Sequence, residues 1–148
     1  MGGNLRSPDK NLVIHTDGGA RGNPGPAAAA CVIKDLAGNV RVLRGKYLGK
    51  GTNNFAEYQG VILAYEELLK IPHLNFLDTT LDFNLDSNLV VNQLNGLFKV
   101  KDKNIRELVV KIRNFEPEFS QVHYHYIPRD QNKLADQLVN KTLDKNLT

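Results

Sequence analysis

The stretch LVIHTDGGARGNPGPAAAACVI, residues 12–33, decides the fold of this chain. Its apolar start leads to Asp17 and two glycines, a pattern typical of a strand that runs into a turn. A loop rich in Gly, Asn and Pro follows, and the small and β-branched residues 27–33 predict a second strand. A third strand is predicted at 40–48, joined to the second by a hairpin at residues 37–39. The chain therefore begins with three consecutive antiparallel strands.

The rest of the chain alternates helices with two further strands. The patterns predict helices at 54–71, 87–94, 105–115 and 133–143, and strands at 79–85 and 122–127. Asn54 is expected to cap the first helix and Pro72 to end it. Leu134, Leu138 and Thr142 are expected to face inward on the last helix. The order βββαβααβα predicts an α/β fold, with a five-stranded mixed sheet flanked by helices.

Length and composition predict one globular domain, residues 1–148, with residues 1–10 as a flexible N-terminal extension. Cys31 is the only cysteine, which excludes an intrachain disulfide and a cysteine-based zinc site. No apolar run is long enough to cross a bilayer, so we expect a cytoplasmic monomer without membrane partners. The 19 Lys and Arg exceed the 16 Asp and Glu, and the net charge of +3 favours a polyanionic partner without demonstrating one.

Four acidic residues stand near predicted element ends, and each has an ordinary structural explanation. Asp17 precedes a glycine, as in many turns, and Glu57 stands where a capping-box acid would follow Asn54. Asp86 could cap the next helix, and Asp136 would suit the dipole of the last one. Together, however, the predicted elements bring all four to one end of the sheet, where sites tend to form. Close carboxylates repel one another unless cations neutralise them, and Mg²⁺ suits carboxylate and phosphate oxygens, which points to phosphoryl chemistry.

Four blocks of sequence in series resemble the type 1 ribonuclease H family over nearly the whole chain. The blocks are Thr16-Asp17-Gly18-Gly19 with Gly22-Asn23-Pro24-Gly25, Thr52-Asn53-Asn54 with Ala56-Glu57, Asp86-Ser87 with Val90-Val91-Asn92-Gln93, and Asn132 with Ala135-Asp136. The resemblance implies a ribonuclease H-like fold and cleavage of the RNA strand of RNA/DNA hybrids, leaving 5′-phosphate and 3′-hydroxyl ends. It implies two-metal-ion catalysis with Mg²⁺, or with Mn²⁺ as an alternative. The catalytic, metal-binding residues that it implies are Asp17, Glu57, Asp86 and Asp136.

The resemblance also implies a set of substrate contacts. They are Gly18, Asn23, Thr52, Asn53, Asn54, Asn88 and Arg129, with weaker basic contacts from Lys99, Lys101 and Lys103. Amide side chains both donate and accept hydrogen bonds, which suits reading a 2′-hydroxyl on one strand and a deoxyribose backbone on the other. Asn23 and Asn54 have alternative roles as a turn residue and a helix cap, and Gly18 could simply permit a turn.

The chain departs from the family pattern at two places. Many members carry a long basic helical protrusion, whereas only residues 96–104 separate the two middle helices here, so the affinity for hybrid is expected to be lower. Many also have a histidine in the loop before the last helix, but residues 127–132 contain none, and Arg129 is the candidate there for the scissile phosphate. The alternative function is a domain of the same fold that binds hybrid or duplex RNA without cutting it. The complete set of acids argues against that alternative.

Overall fold

The computed structural model describes residues 10–147, which form one five-stranded sheet with helices on both faces. The strands are β1 (Asn11–Ala20), β2 (Gly25–Asp35), β3 (Val40–Gly51), β4 (Thr80–Leu85) and β5 (Gln121–Tyr126). The helices are α1 (Asn53–Leu68), α2 (Asn88–Leu94), α3 (Lys103–Phe115) and α4 (Lys133–Asn146). The first three strands are antiparallel, and β4 and β5 add in parallel beside β1, which gives the spatial order β3-β2-β1-β4-β5. The predicted α/β fold and its order βββαβααβα are confirmed.

The two faces of the sheet carry unequal amounts of apolar packing. On one face α1 packs the buried residues Val61, Ala64 and Leu68 against β1 and β2, and α2 and α3 contribute to the same core. On the other face α4 packs on β2 and β3 through a small cluster that includes Ala28 and Val139. Among the helices of residues 10–147, none has both the length and the hydropathy that a membrane span requires. The expected flexible extension, residues 1–10, lies outside the described residues apart from its last residue.

Strand β1 continues through the turn that the sequence predicts. Asp17 pairs with Ala30 and Gly18 pairs with Ala29, both within the antiparallel ladder between β1 and β2. Because β2 offers a continuous partner, sheet pairing overrides the local preference of an Asp-Gly pair for a turn. The predicted turn is therefore wrong, and Asp17 lies inside a strand.

The caps of α1 and α2 also differ from the predictions. The N-cap of α1 is Thr52, whose hydroxyl accepts a backbone N–H at 3.1 Å, so Asn54 is not the cap. The N-cap of α2 is Ser87, whose hydroxyl accepts a backbone N–H at 3.2 Å, so Asp86 is not the cap. Glu57 follows the actual cap by five residues, beyond the position of a capping-box acid. Neither Glu57 nor Asp86 therefore has the capping role that would explain it structurally.

The inward face of α4 agrees only in part with the prediction. The expected residues were Leu134, Leu138 and Thr142. Leu138 is half-buried and packs against the cluster beneath the helix, and Thr142 is half-buried against Gly45 of β3, but the fully buried residues are Ala135, Val139 and Leu143. The floor beneath the helix is made of alanines of β2 and of Gly45 in β3, and a Cβ atom at Gly45 would lie 3.4 Å from the carbonyl oxygen of Leu138. Because the helix lies so close to the sheet, Leu134 is displaced to its flank, where it is 39% exposed, and the prediction is wrong for that residue. Helix α1 also ends earlier than predicted, at Leu68.

Two glycines let α1 lie directly on β1. A Cβ atom at Gly18 would overlap the backbone of Ala56, and one at Gly60 would lie 2.7 Å from the carbonyl oxygen of Asp17. Only a residue without a side chain permits so close an approach of helix to strand. The packing brings the first turns of α1, which carry Glu57, against the strand that carries Asp17. The turn explanation of Gly18 is thereby excluded.

Candidate active site

Asp17 and Asp86 lie side by side at the carboxyl end of β4. The parallel pairing of β1 with β4 ends at His15 opposite Asn84. Continuing this register places Asp17 level with Asp86, which directly follows the last residue of β4. Sites in open sheets form beyond the carboxyl ends of parallel strands. The strand pattern thus brings two acids of different segments to one point.

Glu57 reaches the same point from α1. One carboxylate oxygen from each of Asp17, Glu57 and Asp86 lies within 4.8 Å of the other two. The Oε2 atom of Glu57 is buried and has no hydrogen-bond partner among residues 10–147. Leaving a buried oxygen unpartnered costs about 1–3 kcal/mol unless a ligand satisfies it. The oxygens of this cluster fit a hard divalent cation, since carboxylates are the protein ligands that Mg²⁺ prefers.

Burial and neighbouring negative charges raise the pKa values of two of these acids. The pKa of Asp17 is raised from its ordinary value of 3.8 to about 7, first by burial and then by the charge of Asp86, although hydrogen bonds with Glu57 and with the backbone of Gly18 oppose the increase. The pKa of Glu57 is raised well above its ordinary value of 4.5, mainly by burial and then by the negative charges of Asp17 and Asp86. Without a cation, Asp17 is therefore partly protonated near neutral pH, and Glu57 also holds its proton more tightly than an ordinary glutamate does. A divalent cation would favour their ionised forms.

Asp136 and Arg129 border the same site. A cavity of about 370 Å³ is lined by Asp17 and Glu57 on one side and by Asp136, Arg129 and Asn53 on others. Asp136 lies outside the group of three oxygens within 4.8 Å, although its charge also raises the pKa of Asp17. It stands in the first turn of α4, where the helix dipole favours an acid. The structure thus brings three of the predicted acids into one group and the fourth onto the wall of the cavity.

Asn132 joins this site but was not among the predicted site residues. It is 1% exposed, and its Nδ2 donates hydrogen bonds to the Oδ2 of Asp86 at 3.0 Å and to the carbonyl oxygen of Thr16 at 2.8 Å. The sequence motif places it before Asp136, but no local pattern indicates that its amide reaches an acid 46 positions earlier. Only the packing of the start of α4 against the sheet brings these groups together.

A second groove lies beside Asn53 and holds three predicted substrate contacts. It has a volume of about 460 Å³, and its lining includes Asn23, Thr52, Asn54 and Lys50. The Oδ1 of Asn23 accepts the backbone N–H of Asn53 at 3.0 Å, and the Oδ1 of Asn53 accepts a backbone N–H from the end of β1 at 2.9 Å. The oxygens of Asn23 and Thr52 are thus occupied by backbone groups, which leaves their N–H and O–H groups as donors. These donors and Lys50 suit an anionic ligand on their side of the groove, whereas Asp102, the N-cap of α3, lines another part of it.

The other predicted contacts lie outside these two cavities. Asn88 is the first residue of α2, and its Oδ1 accepts a hydrogen bond from within that helix at 3.1 Å. Lys99 and Lys101 lie exposed in the connection between α2 and α3, whereas Lys103 is the first residue of α3. Helix α3 starts two residues earlier than predicted because Asp102 caps it, accepting a backbone N–H at 3.0 Å. The short basic connection is therefore partly helical.

Comparison with known families and curated proteins gives a consistent match. Residues 15–142 match the family model described as reverse transcriptase-like. Bifunctional protein Rv2228c of Mycobacterium tuberculosis is 35% identical over 134 residues, which are 90% of this chain and 35% of that protein. Ribonuclease HI of Halobacterium salinarum is 34% identical over 139 residues, which are 93% of this chain and 67% of that protein. The chain thus spans about a third of the length of its mycobacterial relatives.

Solved structures show the same similarity. LC11-RNase H1, isolated from compost by a metagenomic approach, has a TM-score of 0.88 and 40% identity, over 94% of this chain and 99% of that chain. The crystal structure of LC11-RNase H1 in complex with RNA/DNA hybrid also has a TM-score of 0.88 and 40% identity, over 93% and 99% of the two chains. RNase H1 from Halobacterium salinarum has a TM-score of 0.84 and 33% identity, over 91% and 98%. The similarity therefore extends over nearly the whole chain in both sequence and structure.

Proposed function

Since the chain belongs to the type 1 ribonuclease H family, we propose that it is an endoribonuclease that hydrolyses the RNA strand of RNA/DNA hybrids. The observation that carries the proposal is the group of three carboxylates whose oxygens lie within 4.8 Å of one another beside an open cavity. The similar LC11-RNase H1 has been crystallised with RNA/DNA hybrid, which supports the same substrate here. The products would carry 5′-phosphate and 3′-hydroxyl ends.

The carboxylates are proposed to hold divalent cations. Asp17, Glu57 and Asp86 would form the principal cation site, and Asp136, on the cavity wall, would contribute to a second. Bound divalent cations activate a water and stabilise the negative charge that develops on the leaving oxygen. We propose Mg²⁺ as the natural cation and Mn²⁺ as an alternative, because both accept carboxylate and phosphate oxygens. The unpartnered Oε2 of Glu57 and the raised pKa of Asp17 support a cation at this place.

Arg129 is proposed to contact the scissile phosphate or the product. Its side chain borders the cavity that Asp17, Glu57 and Asp136 also line, and it lies in a short 3-10 helix, Arg129–Gln131, before α4. A guanidinium group is always charged and can pair with two phosphate oxygens at once. It would therefore place the phosphate against the cations, in a loop where this chain has no histidine.

The groove beside Asn53 is proposed to hold the DNA strand of the hybrid. The N–H group of Asn23 and the O–H group of Thr52 would donate to a phosphate there, with Lys50 adding positive charge. Asn54 and Gly18 are proposed to contribute at the sugar edge, Gly18 through its backbone. Asn88 and the lysines at 99, 101 and 103 would extend the contact along the backbone of the duplex. Strong salt dependence of binding follows from such phosphate contacts.

Cleavage can be tested directly with four labelled substrates and two matched variants. Purified protein is incubated with RNA/DNA hybrid, RNA/RNA, DNA/DNA and single-stranded RNA, each in MgCl₂, MnCl₂ or EDTA. We expect the hybrid to be cut only in the presence of a divalent cation, and Asp17→Asn to abolish cutting. Asp78→Asn is the control, since Asp78 lies at the opposite end of β4 in an exposed ion pair with Lys10.

Hybrid binding without any cleavage by the wild-type chain, in either metal, would instead favour the alternative of a non-cleaving domain. Wild-type activity in Asp17→Asn would refute the assignment of the acids. The cytoplasmic location and the monomeric state stay predictions.

A further inference from the structure

Asn132 lies where four functional segments of the chain meet. Its side-chain Nδ2 donates to the Oδ2 of Asp86 at 3.0 Å and to the carbonyl oxygen of Thr16, the residue before Asp17, at 2.8 Å. Its backbone N–H donates to the carbonyl oxygen of Arg129 at 2.9 Å, and its own carbonyl oxygen accepts the N–H of Asp136 at 3.1 Å. One buried residue thus contacts β1, the acid after β4, the turn with the arginine and the helix with the fourth acid.

The chemistry of an amide explains why asparagine occupies this position. The NH₂ group must point at Asp86 and Thr16, because the reverse orientation would place the amide oxygen against two other oxygens. Its Oδ1 is consequently buried without a partner. An unpartnered buried oxygen is unfavourable, so this side chain is not the one that stability alone would select. The property of asparagine that matters at position 132 is that its side chain provides two N–H donors and carries no charge.

The neutral charge of this donor matters for a cation site. A lysine or arginine here would also hold the carboxylate of Asp86, but its positive charge would oppose a cation bound beside Asp17 and Glu57. A serine would supply a single donor for two acceptors. An aspartate would repel Asp86. Asparagine holds the carboxylate in place and leaves its negative charge available to the cation.

We propose that Asn132 is a positioning residue of the cation site, which orients the carboxylate of Asp86 and joins it to the start of α4, where Asp136 lies. With Oδ2 of Asp86 held, the carboxylate cannot rotate freely beside Asp17 and Glu57. Partners of metal ligands set ligand orientation in this way, and their loss typically lowers metal affinity or activity by about 10- to 100-fold. The inference rests on the proposed function, because it requires that the carboxylates bind divalent cations.

The test compares cation binding in three variants of the full chain. Asn132→Ala removes both donors, and Asn132→Ser keeps one. Asn146→Ala is the matched control, since the amide of Asn146 is exposed and donates only to a carbonyl of its own helix, at 2.7 Å. Binding of MnCl₂ and of MgCl₂ is measured by isothermal titration calorimetry, and stability is measured separately by urea unfolding in EDTA.

We expect the dissociation constant for Mn²⁺ to rise about 10- to 100-fold in Asn132→Ala and by less in Asn132→Ser, with Asn146→Ala unchanged. The Mg²⁺ concentration for half-maximal cleavage should rise in the same order. A merely structural residue would lower stability in EDTA but leave the cation affinity of the folded protein unaltered. If Asn132→Ala does not fold, Asn132→Ser provides the same comparison.

A dissociation constant within twofold of wild type in a folded Asn132 variant would overturn the inference while leaving the proposed function intact. The proposed function fails separately, if the wild-type chain itself neither binds these cations nor cuts hybrid.

Discussion

Replacing Asp17 by asparagine should stabilise the metal-free protein near neutral pH while it abolishes cleavage. Asp17 is buried beside Asp86 and Glu57, and its pKa is raised from 3.8 to about 7. A carboxyl group of this kind keeps its proton in the folded state at pH values where the unfolded chain has already released it. Its contribution to stability is therefore fully present below pH 3.8 and is lost as the pH rises through about 7.

The size of the effect follows from the pKa of Asp17. Between pH 5 and pH 8 the folded state releases this proton near pH 7, so stability falls over about two pH units, by ~3 kcal/mol at ~1.4 kcal/mol per unit. Asparagine has no proton to release, so Asp17→Asn should lack this loss. For a chain of 148 residues, the gain at pH 8 corresponds to a rise of roughly 6–12 °C in Tm.

The assay is urea unfolding in EDTA at pH 5 and pH 8, for wild type, Asp17→Asn and the control Asp78→Asn. Burial, with the charge of Lys34, lowers the pKa of His15, and this makes stability change with pH in the opposite direction, but His15 is present in all three proteins. The informative quantity is therefore the difference between each variant and wild type. The reasoning is refuted if Asp17→Asn exceeds wild type by the same amount at both pH values, or if it is less stable at pH 8.

Three further substitutions test other parts of the structure. Gly18→Ala should lower the free energy of unfolding in urea by about 3 kcal/mol, because its Cβ would overlap the backbone of Ala56. Gly19→Ala is the control and should change stability little, because its Cβ would meet the nearest atom only at 3.7 Å; equal effects of the two substitutions would contradict the packing argument. Arg129→Ala should lower the turnover of hybrid about tenfold or more, because it removes the proposed charged hydrogen bond to the phosphate. The control Lys70→Ala, at an exposed position, should not change turnover; an unchanged rate in Arg129→Ala would remove Arg129 from the mechanism. A triple variant should bind hybrid with a weaker salt dependence, in which glutamine replaces Lys99, Lys101 and Lys103. In a filter-binding assay, the slope of the logarithm of affinity against the logarithm of salt concentration should fall in magnitude by about 2; an unchanged slope would exclude phosphate contacts by this segment.

The fold was predictable because its signals are repetitive. The alternation of apolar strands with amphipathic helices identified all nine main elements among residues 10–147, and errors at their ends stayed within a few residues. The fully buried residues of α4 were not predicted because apolar residues occupy two adjacent stripes, 134/138 and 139/143, and periodicity cannot choose between them. That choice depends on the alanine floor of β2, which is a property of the assembled sheet.

The sequence allowed the convergence of acidic residues at one end of the sheet to be predicted, but not the hydrogen bond by which Asn132 holds Asp86. Acids are recognisable by type and by their place at element ends, and the strand order then decides which of them meet. No sequence signal of this kind indicates the role of Asn132, because an asparagine before a helix is common and its partner Asp86 is 46 positions away. A contact of this range appears only when two packed elements place an amide opposite a carboxylate.

The wrong local explanations of the acids bear directly on function. Asp17 is not in a turn, Glu57 is not in a capping box and Asp86 caps no helix, so the structure removes three of the ordinary reasons for their presence. What remains is a cluster in which burial, and then mutual repulsion, raises the pKa values of Asp17 and Glu57 and destabilises the metal-free fold. A local conflict of this kind, within a chain whose other elements agree with one another, marks a functional site. A bound divalent cation would remove the conflict, so stability in EDTA and affinity for Mn²⁺ test the proposed site as directly as the cleavage rate does.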